Sequence, residues 1–237
     1  MAAESIRYEL RDSVAVITMD DGKANALSLA VIEALHACLD RAEREAAAVL
    51  LTGRDRRLSG GFDLSVMTSS VENMRTLVTA GAELLMRLYL FPRPVVVACN
   101  GHALAMGALL LLVADARIGA DGDFKIGLNE VSIQMPLPVF GMELARARLS
   151  KRHFTAAVTQ ARIYDPQRAV DAGYLDATAP PQQLYNVAFA AARQLAVLPN
   201  PAFSSTKERE RGATAKFIRD TLEADMTTLT GPRPPDK

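Results

Sequence analysis

The fold is decided by two stretches, Leu58-Ser59-Gly60-Gly61-Phe62-Asp63-Leu64 and Asn100-Gly101-His102-Ala103-Leu104-Ala105-Met106-Gly107. Each places small residues after an apolar run that predicts a strand and before a segment that predicts a helix. Backbone N–H groups freed at such a turn point at an anion, and the dipole of the following helix favours negative charge there. Two such turns, followed along the chain by the lone Glu130, predict a site that forms and quenches an enolate.

Each of these features also has a plainer interpretation. The Gly60-Gly61 turn needs positive φ merely to connect a strand to a helix, and the small residues before Gly107 are compatible with close helix packing alone. Glu130 is compatible with a solvated surface carboxylate, the usual situation of glutamate. Its neighbours instead favour a buried carboxylate with a raised pKa, which suits a general base. These neighbours are apolar: Ile126, Leu128, Val131 and Ile133.

The order of apolar runs predicts an α/β protein with a largely parallel sheet. Strands are predicted over 13–19, 46–51, 94–99 and 116–119. Helices are predicted from the N-cap Ser28 to about Glu45, over 74–90 and over 106–113. From residue 141 onward the periodicity is mainly helical. We therefore predict a core over residues 1–140, a helical C-terminal subdomain over 141–230 and a disordered tail over 231–237.

Composition limits the classes of function. The 237 residues are 49% hydrophobic. The 27 basic and 27 acidic side chains give a formal net charge of zero, so charge alone predicts no binding to nucleic acid or to a membrane surface. The longest apolar run, Ala103 to Ala114, is too short to span a bilayer, and no secretory signal is evident. We expect a soluble cytoplasmic protein with Cys38 and Cys99 in its core. The three histidines lack metal-ligand spacing, so we expect no metal site.

Several segments in a fixed order resemble one known family. They are Asn25-Ala26-Leu27, residues 59–64, Asn100-Gly101-His102-Ala103, Ala114-Asp115-Ala116-Arg117 and residues 169–176. Between about Val14 and Lys207 the chain is thereby similar to the crotonase superfamily, also called the enoyl-CoA hydratase/isomerase family. The resemblance implies a crotonase-like spiral core of ββα units. It also implies that the helical C-terminal subdomain supports trimerisation, as a homotrimer or a hexamer.

The resemblance also implies a set of site residues. A thioester oxygen is expected between the backbone N–H groups of Phe62 and Met106, with Glu130 as the third catalytic residue. The substrate is expected to be an acyl-CoA thioester, so that coenzyme A is part of the substrate and no separate cofactor is needed. The implied substrate-binding residues are Ala24, Ala26, Leu27, Gly60, Gly61, Asp63, Leu64, Gly107 and Leu109.

The kind of reaction depends on Leu109. Family hydratases use two glutamates to hold and activate water, and here only the second, Glu130, is present, because Leu109 occupies the first position. The segment 126–130 resembles the monofunctional Δ3,Δ2-enoyl-CoA isomerases, which keep only this glutamate. The primary hypothesis is therefore isomerisation of 3-enoyl-CoA to trans-2-enoyl-CoA. Two alternatives stay open. One is an enoyl-CoA hydratase of fatty acid β-oxidation that uses an acid from elsewhere. The other is a low-turnover acyl-CoA-binding protein, suggested by Leu109 and by Met106 and Gln134, which occupy positions where the family usually has glycine.

Overall fold

A six-stranded sheet forms the centre of the protein, whose computed structural model describes residues 5–232. Its strands are arranged in the order β1-β2-β3-β5-β7-β9. The first two strands form an antiparallel hairpin through Asp12 and Ser13, both at positive φ, and the other pairs are parallel. The strands are β1 (Ile6–Arg11), β2 (Val14–Met19), β3 (Ala48–Thr52), β5 (Val95–Cys99), β7 (Ala116–Ala120) and β9 (Ala177–Ala179).

A second sheet of three short parallel strands lies beside the first. Its strands are β4 (Arg56–Ser59), β6 (Gly101–Leu104) and β8 (Ile126–Gly127). Each follows a strand of the main sheet along the chain, so β3, β5 and β7 each lead into one small-sheet strand. Because the three strands are parallel, their carboxyl ends lie along the same edge. That edge is where the site is found.

The helices follow the strand pairs. They are α1 (Leu29–Glu45), α2 (Leu64–Met67), α3 (Val71–Tyr89), α4 (Met106–Val113), α5 (Val139–Arg148), α6 (Lys151–Val158), α7 (Pro166–Ala172), α8 (Pro181–Ala196) and α9 (Asn200–Thr228). Ser28 caps α1 as predicted, and α4 has the predicted bounds. Helix α3 begins three residues earlier than predicted, because the Ser70 side chain caps it. The α/β class is confirmed.

The core has two parts, one on each face of the main sheet. Strands β3 and β5 are buried along their whole length, as expected for parallel strands covered on both faces. Val49 and Leu51 face the larger part, formed with α1, α3 and α4, whereas Leu50 faces Leu184 and Phe189 of α8. The site edge is thus built on a scaffold packed from both sides.

The C-terminal part also supplies a strand. Strand β9 pairs with β7, so the segment predicted as helical completes the main sheet as well. Helix α9 runs 29 residues and is anchored by two cations on Asp115, with Lys207 Nζ at 2.7 Å and Arg211 NH2 at 2.9 Å. Both cations are almost fully buried, and burial lowers the pKa of Lys207 to about 8. The division into subdomains and the trimerisation remain predictions.

The end of α9 leads to the predicted tail. Of the residues 231–237, Gly231 and Pro232 lie against the body of the protein, and a Cβ added at Gly231 would lie 3.1 Å from the Met67 carbonyl oxygen. The predicted disorder at residues 233–237 lies outside the described residues. Within residues 5–232, no helix combines the length and apolar character needed to cross a membrane.

Candidate active site

Three predicted residues follow the carboxyl ends of the three small-sheet strands. Phe62 lies three residues after β4, Met106 two residues after β6, and Glu130 three residues after β8. All three line one cavity with a volume of about 140 Å³. Ligand sites in parallel sheets form at this edge, because loops from neighbouring strands converge there. The structure therefore brings together residues that are 68 positions apart in sequence, from Phe62 to Glu130.

The N–H groups on either side of Phe62 are bonded, whereas the Phe62 N–H has no acceptor among the described residues. Gly60 N donates to the Ala24 carbonyl at 2.8 Å, Gly61 N donates to Ser59 Oγ at 3.1 Å, and Asp63 N donates to the Leu27 carbonyl at 3.0 Å. Successive N–H groups of an extended segment point to opposite sides. Phe62 N therefore points away from Leu27, and it has no acceptor among the residues described.

The Met106 N–H begins α4 directly after an unusual backbone at Ala105. Ala105 has φ 50° and ψ −121°, a combination that glycine adopts readily and residues with a Cβ do not. Ala105 N donates to the Gly127 carbonyl at 3.0 Å, whereas the Ala105 carbonyl accepts from Ala108 and Leu109. Met106 N opens α4 and, in the described part of the chain, has no acceptor.

The two turns are held in contact by glycines. A Cβ at Gly61 would lie 3.7 Å from Met106 N, so the two turns are close neighbours. A Cβ at Gly107 would lie 2.3 Å from the Ser59 carbonyl oxygen, closer than any real contact. Gly81 of α3 similarly makes room for the Phe62 ring, which lies 2.4 Å from an added Cβ. The distance between the Phe62 and Met106 N–H groups therefore depends on glycines, which have no side chain to keep the backbones apart.

The strain at Ala105 gives a testable prediction. Replacing this residue by glycine, Ala105→Gly, removes a backbone cost of about 1–3 kcal/mol and adds about 0.5–1 kcal/mol of unfolding entropy. We expect a net stabilisation of about 1 kcal/mol, which raises the melting temperature by about 2–4 °C in a chain of this size. Thermal unfolding followed by circular dichroism measures it. An unchanged or lowered melting temperature would show that Ala105 is not strained.

Glu130 is the acidic group of the site. It is only 6% exposed, and its Oε2 has no hydrogen-bond partner among the described residues. Burial raises its pKa to about 7. Its backbone is fixed by a short 3-10 turn (Val131–Ile133), in which the Glu130 carbonyl accepts from Ile133 N and Met135 N at 3.0 Å each. The carboxylate is thus positioned, buried and poised near neutral pH.

The rest of the cavity wall is mainly apolar. Leu109 lies one helical turn after Met106, is 2% exposed and faces the cavity. Of the described residues that line the cavity, Glu130 is the only one that ionises. The lining residues are Gly60, Phe62, Leu64, Met67, Ala105, Met106, Leu109, Asn129, Glu130, Ile133, Met135, Pro138, Phe140 and Pro232.

The other predicted binding residues divide into two groups. Gly60, Leu64 and Leu109 line the cavity directly. The remaining residues hold the elements that carry the cavity wall. The carbonyls of Ala24 and Leu27 accept hydrogen bonds from the Phe62 turn, and Gly61 and Gly107 allow the two turns to approach each other. The Asp63 side chain caps α2, and Ala26 N donates to Asp21. The segment that contains Ala24 and Leu27 is held by Asn25, whose side chain donates to the carbonyls of Met19 and Leu58.

Part of the wall was not predicted from the sequence. Met135, Pro138, Phe140 and Pro232 come from the loop before α5, α5 itself and the end of the chain, whereas Met67 lies in the segment 65–81, which the sequence predicts as a wall of the acyl pocket. An apolar side chain in a cavity wall has the same sequence pattern as one in a core, so periodicity carries no signal for them. Within the described residues, no group of three or more His, Cys, Asp or Glu side chains is arranged to hold a metal ion.

Two backbone N–H groups that have no acceptor among the described residues belong to a cavity that one buried carboxylate also lines, at the edge where strand–strand–helix units converge, and this arrangement indicates the class of the protein. A family model described as enoyl-CoA hydratase/isomerase matches residues 9–232. The chain therefore belongs to the enoyl-CoA hydratase/isomerase family, and its resemblance to the crotonase superfamily is confirmed.

Solved structures and a curated relative agree with the family. An enoyl-CoA hydratase/isomerase family protein from Pseudomonas syringae is 43% identical with a TM-score of 0.94, over 97% of this chain and 100% of that one. Human mitochondrial Δ3,Δ2-enoyl-CoA isomerase is 29% identical with a TM-score of 0.90, over 94% of this chain and 89% of that one. A probable enoyl-CoA hydratase from Bacillus subtilis is 36% identical over 124 residues, or 51% of this chain and 48% of that protein. The match thus spans about half the length of this curated relative.

Proposed function

We propose that the protein is an enoyl-CoA isomerase that converts 3-enoyl-CoA to trans-2-enoyl-CoA. The observation that carries the proposal is that one buried carboxylate, Glu130, and the apolar Leu109 line the same cavity, in whose wall no other described residue is charged. A double-bond shift needs a single base, whereas hydration needs groups that hold and activate water. The likeness to the human isomerase supports the same activity.

The proposed reaction moves one proton between two carbon atoms. The Glu130 carboxylate removes a proton from C2, the electrons of that bond spread onto the thioester oxygen, and a dienolate forms. Glu130 then returns the proton at C4, which leaves the double bond between C2 and C3. No atom is gained or lost, and the carboxylate ends the cycle ionised. A pKa of about 7 suits this role, because Glu130 must accept and release the proton with similar ease.

The dienolate oxygen is placed between Phe62 N and Met106 N. Both donors are backbone groups without an acceptor among the described residues, so they are free to bind an oxyanion. In the apolar cavity their bonds to a charged oxygen are stronger than in water. The substitution of a family glycine by Met106 leaves the donor in place, because the side chain does not take part in the bond.

The segment 24–27 is assigned to the coenzyme A part of the substrate. It lies beside the Phe62 turn, joined to it by an isolated parallel bridge between Leu27 and Phe62 and by the hydrogen bond from Gly60 N to the Ala24 carbonyl. This position leads from the outer surface to the two donors, as the thioester arm of the substrate requires. The proposed partner is therefore an acyl-CoA, with coenzyme A as part of the substrate.

Comparing two substrates tests the function. We expect turnover of trans-3-hexenoyl-CoA to exceed hydration of crotonyl-CoA by at least about 100-fold in kcat/KM, because the missing second carboxylate is worth this much to water addition. Product analysis by chromatography separates isomer from 3-hydroxyacyl product. The Leu109→Glu variant should shift this ratio toward hydration, and Leu109→Met, which keeps the wall apolar, should not.

Other outcomes identify the alternatives. Comparable rates of both reactions would favour the hydratase that the Bacillus subtilis relative's name suggests. Tight binding of acyl-CoA without turnover of either substrate would favour a low-turnover acyl-CoA-binding protein.

A further inference from the structure

The size of the cavity limits what the site accommodates. Its volume is about 140 Å³, and Glu130, Phe62 and Met106, the residues that carry the carboxylate and the two N–H donors, line its wall. A protein cavity of about 150 Å³ accommodates one benzene molecule, or six carbon atoms. The space beside the catalytic groups therefore corresponds to a short acyl chain.

Part of the wall is formed by side chains of the packed core. Leu109 of α4 and Phe140 of α5 are each 2% exposed, and Met135 is 5% exposed. Helix α5 packs closely against this region, since a Cβ at Gly141 would lie 2.9 Å from Leu137 Cδ1 and 3.6 Å from Leu109 Cδ1. Packed interiors resist expansion, so a longer chain is not admitted by small shifts of this wall.

The end of the chain forms another part of the wall. Pro232 lines the cavity, and the segment before it is tied down at three points. Asp225 Oδ2 accepts from Val139 N at 2.7 Å, Arg75 NH2 donates to the Thr227 carbonyl at 2.6 Å, and Leu229 is buried. The last turn of α9, and Leu229 directly after it, are therefore held in place just before the chain reaches the cavity.

We infer that this cavity restricts the substrate to short 3-enoyl chains of about six carbon atoms, counted from the thioester carbonyl, and that Phe140 sets the limit. The inference rests on the proposed isomerase function. Phe140 is the residue assigned because its ring is the largest apolar group in the wall apart from Phe62, whose ring packs against Gly81. The phenyl ring of Phe140 occupies the space that additional carbon atoms would need.

A chain-length series tests the inference. Values of kcat/KM are measured for trans-3-enoyl-CoAs of six, eight, ten and twelve carbon atoms. An open channel would raise affinity about fourfold for each further buried methylene. A closed cavity instead predicts a fall of about tenfold or more between six and ten carbon atoms, because the surplus chain overpacks the wall. A value that stays level or rises to twelve carbon atoms would overturn the inference.

Variants identify the residue that sets the limit. In Phe140→Ala the ratio of the ten-carbon to the six-carbon kcat/KM should rise at least about tenfold over wild type, since the removed ring has the volume of the added carbons. Phe140→Leu should raise it less, and this variant preserves the test if the alanine variant does not fold. Phe154→Ala, on α6 outside the cavity, is the matched control and should leave the ratio unchanged. An unchanged ratio in both Phe140 variants would exclude Phe140 as the determinant.

Binding separates this inference from the proposed reaction. Dissociation constants of saturated hexanoyl-CoA and decanoyl-CoA are measured by calorimetry on the wild-type protein, which needs no turnover. If hexanoyl-CoA binds more tightly than decanoyl-CoA but no 3-enoyl-CoA is isomerised, the length limit holds and the isomerase proposal fails. If isomerisation occurs without a preference for short chains, the isomerase proposal holds and the length limit fails.

Discussion

The Glu130→Gln variant is expected to lose about 10³-fold in kcat for 3-hexenoyl-CoA, with less than about a threefold change in KM. Glutamine has the shape of glutamate and cannot take the C2 proton at neutral pH. No other described residue in the cavity wall ionises, so no neighbouring group replaces the lost base. Steady-state kinetics under one set of conditions measure the loss. Activity within tenfold of wild type would exclude Glu130 as the proton shuttle.

The pH profile gives the same residue a second test. Since burial raises the pKa of Glu130 to about 7, the active carboxylate form becomes populated as the pH rises through neutrality. The wild-type kcat/KM should therefore increase with pH and level off above an apparent pKa of about 7. The residual activity of Glu130→Gln should not show this step. A wild-type profile that is flat from pH 5 to pH 9 would contradict the assignment.

Loss of folding does not explain the expected loss of activity. The pKa of Glu130 is raised from 4.5 to about 7 in the folded protein, so folding favours the protonated form. The raised pKa contributes about 3 kcal/mol to the free energy of unfolding. This contribution is fully present below pH 4.5 and is lost as the pH rises through 7. The neutral amide that replaces this carboxylate has no charge to bury, so Glu130→Gln should be no less stable than wild type at pH 8. Thermal unfolding at pH 8 is the control.

The sequence was most informative where a local signal coincides with the tertiary structure. Ser28 precedes an amphipathic stretch, and α1 begins there. The run after Met106 is apolar on every side, and α4 is buried along its whole length. Glu130 was identified because a carboxylate between apolar residues is unusual, and it is buried. In each case one segment carries both the pattern and the reason for it.

The second sheet could not be predicted in the same way. Strands β5 and β6 are separated only by Asn100, and β8 has two residues. Neither β6 nor β8 therefore shows a recognisable hydrophobic period in the sequence. The corner between the sheets is instead made by side-chain bonds between distant segments. Asn100 Oδ1 accepts from Thr52 Oγ1 and from Gly53 N, both at 2.8 Å. These two contacts join residues that are separated by 48 and 47 positions in the sequence, so no local sequence pattern indicates them.

The backbone of the site was also hidden from sequence reasoning. Ala105 and Gln134 both adopt positive φ, at 50° and 58°, although neither is a glycine. Residue type alone indicates the opposite, because residues with a Cβ seldom adopt such values. Surrounding structure imposes them: Ala105 N is bonded to Gly127, and the Gln134 N–H donates to the Val131 carbonyl. Strain of this kind is concentrated at functional sites, and here Ala105 directly precedes Met106 while Gln134 ends the short 3-10 turn that follows Glu130.

Gly107→Ala is expected to lower kcat by about 10²–10³-fold, the loss typical of one missing oxyanion donor. An added Cβ would lie 2.3 Å from the Ser59 carbonyl oxygen and 2.9 Å from the Ser59 carbonyl carbon, both rigid backbone atoms. Helix α4 must therefore move away from β4. Since Met106 precedes Gly107 and the Phe62 turn follows Ser59, the same movement separates the two N–H groups that are proposed to hold the dienolate oxygen.

The Gly107 effect can be separated from general damage because the donors act mainly in the transition state. Hydrogen bonds to a full oxyanion are stronger than those to the ground-state thioester, so kcat should fall much more than affinity for saturated hexanoyl-CoA. Gly212→Ala in α9 is the matched control, because its added Cβ meets only the flexible end of the Glu208 side chain. A Gly107→Ala variant with the wild-type kcat would show that the close approach of α4 and β4 does not position the donors. A parallel loss of kcat and hexanoyl-CoA affinity would instead indicate collapse of the cavity, and with it the loss of the scaffold that holds Glu130.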